Sequence, residues 1–163
     1  MRTIVFTLML IAAVGAAACK QGDGPMPARS GDVPNRLGDL KRDLEAVVAG
    51  DQQAVQDLTD DLMVFIDEPE GQAMTKAMST TISSMLVKRP VNDEMQTKIV
   101  SLMWTAVAAR ELSERQMDAL KDDVRNTLLA AGVTQPDANL AAGRVGEVQK
   151  AVTLRTRRWY ERY

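Results

Sequence analysis

From residue 37 to the C-terminus, apolar residues return every three or four positions and never settle into strict alternation. That period admits amphipathic helices packed on one another and little else. Leu37, Leu40, Leu44 and Val47/Val48 form a first stripe, and Val55, Leu58, Leu62 and Phe65/Ile66 a second. Between them Gly50-Asp51 supplies a stop and a fresh N-cap. Fusion of the two stripes into one helix is the alternative, because an interior glycine costs only about 1 kcal/mol. Pro69 suits the first turn of a third helix, with Met74, Ala77/Met78, Ile82 and Met85/Leu86 as its stripe and Lys88-Arg89-Pro90 after it. A fourth opens near Asn92-Asp93-Glu94 and carries Met95, Ile99, Leu102/Met103 and Ala106/Val107. Ser113-Glu114-Arg115-Gln116 reads as a capping box for a fifth, with Met117, Leu120, Val124 and Leu128 behind it and Gly132 as its stop. Thr134-Gln135-Pro136-Asp137 opens a sixth, whose first turns Gly143 and Gly146 are expected to loosen. The expectation is an all-α, compact bundle of five or six amphipathic helices spanning 36–163. No such helix is stable alone, so the stripes must meet.

Composition narrows the chemistry. The chain has no histidine and one cysteine among 163 residues, which removes Ser-His-Asp and Cys-His catalysis and every His- or multi-Cys-ligated metal site. A net charge of -2 argues against a nucleic-acid binder working through bulk positive charge. Aromatics at 4% favour helix-on-helix packing over sheets.

The N-terminus has three parts: Met1-Arg2-Thr3, an apolar run from Ile4 to Val14, and Gly15-Ala16-Ala17-Ala18 before Cys19. This is the layout of an export signal. The run is too short to span a bilayer, which needs about 20 residues. Ala16-Ala17-Ala18-Cys19, with the chain's one cysteine directly after small residues, resembles the lipobox of bacterial lipoproteins, although Ala16 stands where that family prefers Leu. The resemblance implies cleavage before Cys19, a thioether-linked diacylglycerol on its sulfur and acylation of the new amino group. Lys20 after the cysteine, rather than Asp, implies sorting to the outer membrane, facing the periplasm. A secreted soluble protein with an incidental thiol, or inner-membrane retention, is the alternative. Lys20 to Asn35 holds three of the six prolines and no apolar period, so it reads as a flexible linker. The organisation expected is a signal peptide at 1–18, a lipidated cysteine and linker at 19–35, and the helical domain at 36–163.

Four features of the body carry chemistry. Met74, Met78 and Met85 share a face, as do Met95 and Met103. Core packing is the first reading, an adaptable apolar groove the second, and a thioether site for Cu(I) the third. Asp57, Asp60 and Asp61, with Asp67, Glu68 and Glu70, make an acidic side. A solvated face suits it better than a shared divalent cation or the acid/base pair of a hydrolase, since no calcium-loop spacing and no substrate groove is visible.

The third feature is the end of the last helix. Val145, Val148, Val152, Trp159 and Tyr163 fall on one face, and at about 100° per residue Arg144, Arg155, Arg158 and Arg162 gather on its flank. Six basic residues stand against Glu147 and Glu161 from Arg144 onward, whereas three basic stand against ten acidic between Arg36 and Glu70. The plainest reading pairs this basic helix with the acidic first hairpin inside the fold. The functional ones are anionic lipid headgroups or lipopolysaccharide phosphates, and an acidic protein partner. Nucleic acid is not expected.

Fourth, Leu112-Ser113-Glu114-Arg115-Gln116 resembles the Leu-Thr-x-x-Gln motif of the Spy/CpxP family of periplasmic helical stress chaperones, with Ser for Thr. That family shows two copies, and here Leu58-Thr59-Asp60-Asp61-Leu62 lacks the Gln. The layout also resembles, in outline, helical lipoproteins that escort secretion components. The expectation is a non-enzymatic docking or scaffold module of the cell envelope, with a membrane anchor, a protein partner in the envelope and no cofactor. A chaperone-like binder of exported chains is the runner-up, and a carboxylate-dependent hydrolase the third.

Overall fold

The structure, a computed structural model, describes residues 32–64, 66–109 and 111–160, with side chains from 36 and up to 152. Six helices follow one another: α1 (Asp32–Ala49), α2 (Gln53–Met63), α3 (Pro69–Leu86), α4 (Asp93–Ala108), α5 (Glu114–Ala130) and α6 (Gln135–Tyr160), and there is no strand among the described residues. The fold is the expected all-α bundle. The signal segment, Cys19 and the linker up to residue 31 lie outside the described residues, as do Arg162 and Tyr163.

Local chemistry sets each boundary. The first two stripes are separate helices. Gly50 adopts φ +103°, its N–H donates to the carbonyls of Ala46 and Val47, and Asp51 N–H closes back on Ala46 at 2.9 Å. The Asp51 carboxylate then accepts from Gln53 N–H at 2.9 Å, which starts α2. Pro69 occupies the first turn of α3, where a missing N–H costs nothing. Asn92 caps α4 by accepting from Met95 N–H. Ser113 and Gln116 form a reciprocal capping box on α5. Thr134 serves α6 by accepting from Asp137 N–H and donating to its carboxylate. α1 opens at Asp32, ahead of the Arg36 from which the sequence placed the domain, with Pro34 in its first turn.

The helices close a ring: α1 packs on α2, α2 on α3, α3 on α6, α6 on α5, α5 on α4, and α4 returns to α1. Short connections reverse the chain at each step, so ring neighbours run antiparallel. Leu40, Leu44, Leu58, Leu62, Ile82 and Leu86 are among the fully buried side chains at the centre. Each such side chain contributes about 1.5–3 kcal/mol relative to exposure.

α3 buries its apolar stripe at Met78, Ile82 and Leu86, as expected, and a second row of small residues beside it. Gly71, Thr75, Ser79 and Ser83 are all buried, four residues apart, while Met74 and Met85 are half-buried and Ala77 is not in the core. Small side chains on an i±4 ridge let α2 and α6 approach α3 closely. Gly71 is obligatory, since a Cβ there would lie 2.6 Å from Ile66 Cγ2. Thr59 and Ser79 satisfy each other across the α2–α3 contact at 2.6 Å. Nor do Gly143 and Gly146 loosen α6, which is one continuous helix. At Gly146 the Cε of Lys121 from α5 lies 2.7 Å from where a Cβ would sit.

Candidate functional site

The two ends of the ring differ. At one, three turns meet. Lys88 N–H donates to the Val48 carbonyl at 2.8 Å, and Lys88 itself takes a left-handed φ of 56°. The Arg89 guanidinium donates to the Gly132 carbonyl at 2.7 Å and to that of Met85. These bonds tie the α1–α2, α3–α4 and α5–α6 turns into a hub. At the opposite end lie the start of α1, the α2–α3 and α4–α5 turns, and the continuation of α6.

That continuation holds three of the six basic-aromatic positions singled out in the sequence, Arg155, Arg158 and Trp159. α6 has 26 residues, against 18 in α3, 16 in α4 and 17 in α5. Gln149 marks where it passes the end of α4. Its buried amide donates to the carbonyls of Ala106 and Ala109 at 2.8 Å each, and more weakly to Thr105, satisfying the open end of α4. Lys150–Tyr160 then adds about 16 Å of helix. Val145 and Val148 are fully buried, and Val152 is half-buried against the core.

Arg155, Arg158 and Trp159 lie on this terminal stretch of α6, their side chains outside the described residues along with Arg162 and Tyr163. Arg144 does not join them. It sits on the wall of the bundle, eleven residues before Arg155, and its guanidinium donates to Glu147 of its own helix at 2.7 Å. α6 packs chiefly on α3, α4 and α5, so Arg144 is spent locally rather than on the acidic first hairpin.

The acidic side is dispersed. Asp61 pairs with Arg36 at 3.3 Å, and Asp57 and Asp60 accept from Gln53 and Gln56 of the preceding turn. Asp43, facing them from α1, has its pKa raised, first by partial burial and then by the Asp61 carboxylate, against the opposing pull of Arg42. Lys41 has its pKa raised by its bonds to Asp93 and Glu45. Among the described residues no three of His, Cys, Asp and Glu converge to hold a metal ion. Met78 and Met103 are core residues, with Met74, Met85 and Met95 packed at its edge. The exposed large apolar side chains, Val64, Val87 and Leu140, stand on three different elements, which leaves the expected apolar groove without a floor in the described residues.

One further feature was not visible in the sequence. An open groove of about 800 Å³ runs between α5 and α6, edged by Asp118, Lys121 and Arg125 on one side and Glu147 and Lys150 on the other. Gly143 and Gly146 line its α6 side. Leu112-Ser113-Glu114-Arg115-Gln116, which resembles the chaperone motif, opens α5 with Leu112 packed on the core. No described helix is long and apolar enough to cross a membrane. No protein-family model, no curated protein and no solved structure matches the chain.

Proposed function

We propose that this chain is a bacterial lipoprotein, anchored through Cys19 at the periplasmic face of the outer membrane. Its helical body acts as a non-enzymatic docking or scaffold module. The observation that supports this reading best is the overrun of α6. A helix of 26 residues continues past partners of 16 to 18, at the end where the chain enters the bundle, and ends in a run of arginines and aromatics. A helix longer than the neighbours it packs on is a natural docking element. Two or more acyl chains on Cys19, at ~0.8 kcal/mol per buried CH₂, hold such a body at a membrane almost irreversibly. Position then defines the task, and an envelope protein is the partner it serves.

Fractionation of cells carrying Cys19→Ala tests the anchor. The protein should move from membranes to the soluble fraction, and an unchanged distribution refutes lipidation. In-cell crosslinking tests docking. A scaffold should yield one or two defined envelope proteins, whereas a ladder of unrelated exported chains would point to a holdase instead.

A further inference from the structure

An even number of antiparallel helices returns the C-terminus to the end at which the chain began. The turns at Gly50, Lys88 and Gly132 are joined at the hub. The start of α1 at Asp32 and the overrun of α6 therefore share the other end. If Cys19 carries the anchor, only the twelve residues from Lys20 to Gly31 separate it from that end, and a flexible chain of that length spans about 20 Å on average. The overrun of α6, about 16 Å from Lys150 to Tyr160, spans a comparable distance.

We propose that this end of the bundle faces the anchoring bilayer and that the last turns of α6 bind anionic phospholipid headgroups of that leaflet. The proposal rests on the lipoprotein reading and names what the α6 overrun touches. Three arguments carry it. From Lys150 onward five basic residues meet one acid, Glu161, and each basic residue near an anionic surface adds about 1 kcal/mol of attraction. Trp159, Tyr160 and Tyr163 are interleaved with Arg157, Arg158 and Arg162, the pairing of aromatic and cation that suits the headgroup layer. The acids at the same end are Asp67, Glu68 and Glu70 in the α2–α3 turn and the start of α3, Glu111 and Glu114 in the α4–α5 turn and the start of α5, and Asp32 at the start of α1. α6 exceeds α3 by eight residues, about 12 Å of helix. The Debye length at physiological ionic strength is about 8 Å, so the acids at the start of α3 are largely screened from the tip of α6.

The test uses residues 19–163 carrying Cys19→Ala, which keeps the whole bundle and lacks the anchor. Trp104→Phe leaves Trp159 as the single tryptophan. The chain should sediment with phosphatidylcholine vesicles containing phosphatidylglycerol and not with pure phosphatidylcholine, and Trp159 emission should shift to the blue on binding. Arg155→Glu with Arg158→Glu should weaken binding at least about thirty-fold, each arginine near the surface being worth about five-fold. Equal binding to both vesicles, or no blue shift, overturns the proposal without need of the variant. A photo-crosslinker at position 159 in cells that captures an envelope protein rather than lipid also overturns it, and transfers the α6 overrun to a protein partner. The lipoprotein reading fails separately, through a native N-terminus whose mass carries no lipid.

Discussion

The hub and the opposite end are built from the same helices by different means. At the hub, backbone amides and one guanidinium join three turns, so each turn is held by its neighbours as well as by its own helix. At the other end the buried Gln149 amide serves the α4 carbonyls, Val152 packs half-buried on the core, and the backbone of α6 runs on to Tyr160. Hydrogen bonds between separate turns are concentrated where the chain only reverses. The charged and aromatic positions are concentrated where it enters and leaves. Cross-linked turns resist local opening, since each must break bonds to its neighbours before it can open.

The largest expected effect lies at the hub. Leu86 is fully buried in the last turn of α3, and Leu86→Ala should cost about 2–5 kcal/mol in denaturant unfolding. The substitution should leave partition onto anionic vesicles unchanged under folding conditions. A loss of vesicle binding at full folding would break the division of labour between the two ends. Next comes Gly132. An added Cβ would meet only the Arg89 guanidinium at 3.7 Å, an ordinary contact, so Gly132→Ala isolates the backbone cost of φ +80°. That cost is about 1–2 kcal/mol, read from the same unfolding curves.

Gln149 sharpens the comparison from the other side. Gln149→Leu keeps volume and removes the amide that serves the α4 carbonyls, while also removing a buried Oε1 that has no partner. The two effects oppose, and the net loss should be about 1 kcal/mol. Hydrogen exchange should show faster opening from Lys150 onward and at the end of α4, with the hub amides unmoved. Uniform acceleration would mean that α6 is held by the ring as a whole and not by this bond.

The sequence was most legible where a single residue fixes the backbone. Gly50, Pro69, Asn92, Ser113 and Thr134 each mark a helix boundary by their own chemistry, and the structure sets boundaries at those positions. It was least legible where burial is carried by small or polar groups. The ridge Gly71, Thr75, Ser79 and Ser83 carries no apolar signal, because its contribution is close approach rather than transferred area. Gln149 carries no apolar signal, yet it is fully buried because the end of α4 needs donors. Lys88 and Arg89 read only as the close of the third helix, yet they bind turns distant in sequence. The basic run of α6 was legible as composition. Its overrun was not, because a helix is long only in relation to the neighbours it outlasts.

The smallest expected effect tests the acidic hairpin, the counterpart in charge to the α6 terminus. Asp43 is half-exposed on α1, and its folded pKa lies above the ordinary 3.8, first through burial and then through Asp61. A raised carboxyl pKa means that this group favours the folded state fully below its unfolded pKa, and that the contribution is lost as pH rises through the folded value. At neutral pH the carboxylate is therefore slightly unfavourable. Asp43→Asn should stabilise the bundle by a few tenths, about 0.3 kcal/mol once solvent screening is allowed for, and the gain should vanish in acid below pH 3.8. Because desolvation outranks the neighbouring carboxylates as the cause, added salt should shrink the gain only in part. A gain abolished by salt would make the hairpin a purely Coulombic surface, and a loss of stability at neutral pH would mean that Asp43 serves an interaction within the hairpin that outweighs its burial.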